Sequence, residues 1–271
     1  MTQVNPYNNM ALTMQPGVVV VANQAPIVWM PKPTASSGCP PGLEYLTQVD
    51  FVQINQEIDL MELMTWQDMP NKYHLLNSMG QQIYFATEEP GHPLRPCCSQ
   101  RSFIMHITDN AGMEVIRLHR EPRCCTVCNC WCANGDCCGA VLSIEAPVGQ
   151  TVGYVSQRSS FLSPPKFVVQ DQERDDLMNI DGPCCGGMGD IGFELFSAKD
   201  GQNAGSITKQ WAGMAQERMT SADNFGIKFP MHLDVKQKAA LIGACLLLDA
   251  MYFEFPAQGN QRQRSQRQRR R

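Results

Sequence analysis

The amino-acid sequence predicts a mainly β protein, a sandwich or barrel of many short strands, with one apolar helix near its C-terminal end as the natural filler of the interior. Two observations predict it. Short β-branched or aromatic runs recur at near-regular spacing between Leu43 and Phe229, separated by turn signals. Beyond them lies Ala239–Leu248, AALIGACLLL, which has no polar side chain and offers no face to water. With 271 residues and 43% apolar content, the chain can bury the core of one large domain.

Residues 1–42 are rich in Asn, Gln and Met and carry Pro6, Pro16, Pro26, Pro31, Pro33, Pro40 and Pro41 without periodicity. They are expected to form a disordered segment, available to protein partners. The opening MTQVNPYNNM lacks the basic and apolar regions of a secretory leader, and no N-x-[ST] sequon occurs. The folded part, residues 43–255, is therefore expected to face the cytosol.

Within it, strands are predicted at Tyr73–Asn77, Gln82–Thr87, Phe103–Ile107, Glu114–Leu118, Ala140–Glu145, Thr151–Val155, Lys166–Gln170 and Phe193–Phe196. Gly80, Asp109–Gly112, Pro147–Gly149, Asp181–Gly182 and Asp200–Gly201 mark turns between them. Phe51, Ile54, Ile58 and Leu60 fit an alternating frame poorly.

A helix is predicted over 234–255. Asp234 followed by Gln237 has the spacing of a capping box. Its apolar body comprises Ala239, Leu241, Ile242, Leu246, Leu247 and Leu248, and Asp249 interrupts it. Ala239 to Phe253 spans about 22 Å against roughly 30 Å of hydrocarbon. A carboxylate near the centre of a spanning helix costs roughly 2.5–3.5 kcal/mol. Lys236 and Lys238 before the run and arginines after it give no orientation bias. A protein core and a bilayer both remain open as its home.

Charge is divided. The net −4 combines residues 1–261, with 16 basic against 26 acidic groups, and a tail within 256–271 carrying Arg262, Arg264, Arg267, Arg269, Arg270 and Arg271. Such a tail is a solvated end, an attractor of anionic headgroups at about 1 kcal/mol per Arg near the surface, or a nucleic-acid or import signal. Thirteen cysteines include seven in CCTVCNCWCANGDCC, at Cys124, Cys125, Cys128, Cys130, Cys132, Cys137 and Cys138. Three chemistries compete for them. Disulfides lack a secretory context; a metal centre has Cys125-x2-Cys128 and Cys132-x4-Cys137 but no second x2 pair; S-acylation suits contiguous cysteines beside Trp131, near Arg120 and Arg123.

From Leu43 to Glu254 the chain resembles the phospholipid scramblases. The resemblance rests on GLEYLTQVDFVQINQEIDLMELMTW, NKYHLLNSMGQQIYFATEE, CCTVCNCWC, GYVSQRSSFLSPPKFVVQD and SADNFGIKFPMHLDVKQKA running into IGACLLLDAMYFE. It implies a closed twelve-stranded barrel of the tubby-like type around the C-terminal helix, with palmitoylation at Cys124, Cys125, Cys128, Cys130 and Cys132. It also implies calcium-stimulated, bidirectional, ATP-independent movement of phospholipids between leaflets of the membrane that is the protein's partner. Two family motifs are degraded here. The calcium segment, of EF-hand ligand spacing, has Ser221 and His232 where the first and twelfth acids stand, leaving Asp223, Phe225 at the fifth position, Gly226 at the turn and the Ile227 carbonyl: either a weak ligand set helped by Asp234 and the Ser221 hydroxyl, or a turn into the helix formed by Asp223 and Asn224. The import-like segment, Gly205–Trp211, keeps only Lys209 as a base, so nuclear entry and nucleic acid are not favoured.

No G-x-x-x-x-G-K-[ST] loop occurs in the chain, so energy-coupled pumping has no engine and lipid movement is expected to run downhill. Covalent catalysis is not expected either, since no triad or acid/base carboxylate pair stands out. Two rivals remain: a tubby-like lipid-binding adaptor without transport, and a metal or redox protein built on the cysteines.

Overall fold

The computed structural model describes residues 28–34, 38–57, 70–90, 102–121, 139–158, 164–183, 189–210 and 224–253. Twelve strands form one closed antiparallel barrel: β1 Phe51–Gln56, β2 Lys72–Leu76, β3 Gln82–Glu88, β4 Phe103–Thr108, β5 Glu114–Arg120, β6 Val141–Glu145, β7 Thr151–Arg158, β8 Lys166–Gln170, β9 Asp176–Asp181, β10 Ile191–Ser197, β11 Asn203–Gln210 and β12 Asn224–Lys228. Each strand pairs with its neighbours in sequence. Closure comes from β12 on β1, with Phe51 opposite Lys228 and Asn55 opposite Asn224.

Side-chain alternation decides which face is inside. In β1, β4 and β6 the pairs Val52 and Ile54, Met105 and Ile107, and Leu142 and Ile144 are buried, while Gln53, Asn55, His106, Ser143 and Glu145 face outward. Apolar in and polar out is the reverse of a bilayer-spanning barrel. Ion pairs decorate this wall, among them Arg117–Glu114 at 2.8 Å and Lys166–Asp181 at 3.3 Å. Arg117 holds the Glu114 carboxyl below the usual range, with His106 adding to the effect and burial opposing it.

The interior is occupied by α1, Val235–Leu248, continued by a π-helical turn at Asp249–Phe253. Asp234 caps it, its Oδ1 accepting from the Lys236 amide at 2.8 Å. Every residue from Lys238 to Leu248 is buried, and the helix packs on β6, β7, β8, β12 and a 3₁₀ turn at Glu44–Gln48. The question left by its composition is thus answered by the wall around it: the barrel supplies the apolar surroundings. Among the described residues no helix is long and apolar enough to cross a membrane. Gly243 lets the helix approach β5 and β6, because a Cβ there would lie 3.2 Å from Leu118, Leu142 and Ile144 side chains.

The helix lies where the sequence reading puts it, from a cap at Asp234 to Phe253, the last described residue. β1 is framed by Val52 and Ile54, with Phe51 outside over Gly226. Before it, Trp29 bridges Gln82 and Met30 is buried, so the chain engages the barrel ahead of residue 43.

The meander sorts its connections by length. β2–β3, β4–β5, β6–β7, β8–β9 and β10–β11 are each joined by five residues at one end of the barrel. At the other end the connections run from seven residues (159–165) to twenty (121–140). The helix enters at the short-turn end and finishes at the long-loop end.

Candidate functional site

Two buried polar anchors hold the helix. Lys238, fully buried near the short-turn end, donates from Nζ to the carbonyls of Leu46 at 2.9 Å, Val49 at 2.8 Å and Met231 at 2.8 Å. All three ammonium donors are thereby used, and the charge lies 5.1 Å from the Phe229 ring centre. Burial lowers its pKa, with Asp50 and Asp234 pulling the other way. Three turns on, Asp249 is 3% exposed and accepts from the Tyr73 hydroxyl at 2.6 Å. Its charge adds to burial in raising the Cys245 thiol well above the ordinary value, so this cysteine is a packed core residue rather than a nucleophile.

Around the helix C-terminus the wall contributes an aromatic cluster. Tyr252 meets Phe167 at 6.1 Å, and Phe253 meets Phe193 at 6.4 Å and Phe225 at 5.7 Å. Lys209 stands 4.2 Å from the Phe253 ring centre. Burial pushes Tyr252 up to about 12, the Arg120 charge opposing it. Arg120 is 1% exposed on the inner side of β5. In sequence it is a base near the cysteines; the alternation Leu118, Arg120 turns it inward.

The predicted site residues separate into three groups. Ala239, Leu241, Ile242, Leu246, Leu247, Leu248 and Asp249 come together inside the barrel. Cys124, Cys125, Cys128, Cys130 and Cys132, the six tail arginines, Ser221 and Asp223 lie outside the described residues. Of the calcium segment, Phe225 and Ile227 are buried in β12, which pairs on both edges with β1 and β11, so their carbonyls face sheet neighbours. Gly226 is no turn: it leaves room for the Phe51 ring, 3.1 Å from where its Cβ would be. His232 is exposed beyond the far end of that strand, and the four steps from Asn224 to Lys228 alone span about 13 Å of extended chain. The structure does not bring Phe225, Ile227 and His232 to a common point.

Lys238 and the inward Arg120 are the residues that sequence reasoning missed. For Lys238 the available signal was its position four residues after the Asp234 cap, immediately before the apolar run.

A closed wall, polar outside and filled by its own helix, defines a plugged antiparallel barrel protein. The scramblase family model matches residues 30–255. Phospholipid scramblase 1 of Homo sapiens is 45% identical over 244 residues, 89% of this chain and 74% of that protein. Phospholipid scramblase 2 of Bos taurus is 44% identical over 252 residues, covering 92% and 82% of the two chains. Phospholipid scramblase family member 5 of Homo sapiens is 43% identical over 244 residues, covering 88% and 87%. The chain belongs to the scramblase family.

Proposed function

We propose that the protein moves phospholipids between bilayer leaflets, downhill and in both directions, from a position at the cytosolic face of a membrane. The observation that supports this most is family membership over 30–255, a range that includes the whole barrel and its helix. No nucleotide loop is present in the sequence, so the movement is passive, and no bond is made or broken. The lipid does not pass through the barrel, whose interior is packed by the helix; the protein acts on the bilayer from outside, lowering the cost of dehydrating a headgroup. Reconstituted in liposomes carrying fluorescent lipid in both leaflets, it is expected to expose inner-leaflet lipid to an impermeant quencher without ATP. Because Asp249 bonds Tyr73 inside the barrel, folded Asp249→Asn is expected to keep this flux and lose stability instead. Loss of flux at unchanged stability would mean that the carboxylate lines a lipid path.

The filled, water-facing barrel also favours a second reading, a lipid-binding adaptor that recruits partners without transport. Flux no greater than in protein-free liposomes, with binding retained, selects it. A metal-bearing Cys cluster is tested by metal analysis of the purified protein.

Attachment is assigned to S-acylation of Cys124, Cys125, Cys128, Cys130 and Cys132 together with the arginine tail, since several chains hold where one is marginal. Replacing the seven clustered cysteines with serine is expected to release the protein from membranes in cell fractionation. Retention in carbonate and high salt would refute the assignment.

Calcium stimulation is carried by few oxygens. With Ser221 and His232 in place of acids and β12 extended, binding is expected no tighter than about 10⁻⁴–10⁻³ M by calorimetry. Micromolar affinity abolished by Asp223→Ala would overturn this.

A further inference from the structure

We infer that a groove at the short-turn rim of the barrel binds a phosphate joined to an amine, the chemistry shared by a zwitterionic phospholipid headgroup and free phosphocholine. In naming a lipid as one source the inference rests on the phospholipid reading above; the groove itself stands on geometry.

The groove has a volume of about 440 Å³ and lies where β11 begins and β12 closes on β1. Backbone irregularity shapes it. Between the pairs Leu195–Gly205 and Phe196–Asn203, β11 carries one extra residue, Ala204, and such a bulge bends its strand. Gly205 follows at φ 127°, where a Cβ would collide with the Lys228 carbonyl oxygen, so only glycine lets the two strands meet at this point. Asn203 is fixed beside it, Oδ1 accepting from the Gly205 amide at 2.9 Å and Nδ2 donating to Glu194 at 3.0 Å. The concavity is thus built on strands of the wall.

Its charged lining is one acid and one base. Asp50 and Lys228 are both exposed, and among the described residues neither side chain has a hydrogen-bond or ion-pair partner. Backbone position accounts for this: Lys228 stands opposite Phe51, Asp50 accepts from the Phe229 amide through its carbonyl at 3.0 Å, and successive residues of a strand turn to opposite faces. The two charges therefore reach the groove from its two sides instead of neutralising each other. Lys238, the buried cation within electrostatic reach of Asp50, gives its donors to backbone carbonyls.

Phe51 adds a ring to the same lining, half-buried across Gly226. A groove of separated, balanced charges has little preference for a plain anion or a plain cation. A ligand carrying both signs fits. The Lys228 ammonium donates to phosphate oxygens, while the Asp50 carboxylate and the Phe51 ring hold the amine, as aromatic faces hold quaternary ammonium groups. The volume lies toward the lower end of ligand sites, enough for a headgroup.

The full chain is titrated by ligand-observed nuclear magnetic resonance with soluble phosphocholine and, below its micelle concentration, with dihexanoyl-phosphatidylcholine; choline and glycerol 3-phosphate are the controls. Phosphocholine is expected to bind at least about threefold more tightly than either control. Asp50→Asn and Lys228→Gln, both at exposed positions and both expected to keep the wild-type urea midpoint, each weaken phosphocholine by about threefold or more. Tighter binding of the short-chain lipid than of phosphocholine assigns the groove to a lipid headgroup, and equal or weaker binding assigns it to the free phosphoamine. Absence of binding by both ligands, controls that bind as well as phosphocholine, or affinity unchanged in either variant overturns the inference. No bilayer enters this measurement, so that result leaves the transport reading to the liposome assay.

Discussion

Lys238→Met is expected to lower the unfolding free energy by about 3–5 kcal/mol, the range for removing one partner from a buried charged contact. Methionine matches the length and apolar stem of the lysine but leaves the carbonyls of Leu46, Val49 and Met231 without their donor. Each stranded acceptor costs about 1–3 kcal/mol, and here they belong to two segments, the 3₁₀ turn region and the loop into the helix. The loss should therefore be cooperative, appearing in urea denaturation as a lower midpoint with an unchanged slope. A loss under about 1 kcal/mol would show that the ammonium is a convenience of packing rather than the anchor of the helix start.

Leu247→Lys has the largest expected effect, because Leu247 is fully buried among the strands. An unpaired ammonium has no partner set like that of Lys238 there, and the cost exceeds about 4–5 kcal/mol, a large share of a domain's stability. The expected result is a protein without near-ultraviolet dichroism and with rapid proteolysis across the barrel strands. Were α1 instead a membrane element, the same substitution would leave a folded barrel that merely detaches. Comparing barrel integrity with membrane attachment in this one variant separates the two arrangements.

The wall was legible where strands obey simple alternation. Phe103, Met105 and Ile107 against Ile104 and His106, or Leu142 and Ile144 against Ser143 and Glu145, carry the inward–outward rhythm in their own side chains. β9 was hidden by Asp176, Asn179 and Asp181, which are polar because that strand shows its outer face to water, leaving only Met178 and Ile180 as signal. β12 was hidden for another reason: Asn224-Phe-Gly-Ile-Lys holds turn-forming residues, and its glycine serves a neighbour's ring rather than a bend. Strand count came from the family resemblance, since closure depends on β1 meeting a partner 169 to 177 residues away, from Asn55↔Asn224 to Phe51↔Lys228. The helix was legible as apolar on all sides, but composition cannot distinguish a barrel from a bilayer as its solvent. Lys238 was read as a flanking charge because the three carbonyls that receive it come from distant backbone, which leaves no mark on local sequence.

Among the described residues the plug follows every strand of the wall, which has a consequence for synthesis. Chain growth delivers β1 early, yet its edge stays unpaired until β12 emerges, and the inner wall has nothing to cover it until Val235–Phe253 follows. For most of translation the nascent chain is an open, apolar-faced sheet with two free edges, the kind of surface that aggregates or recruits chaperones. Completion of the barrel is therefore a late, nearly all-or-none event: a chain that stops before Val235 is a hollow wall, and should be cleared by quality control rather than work in part.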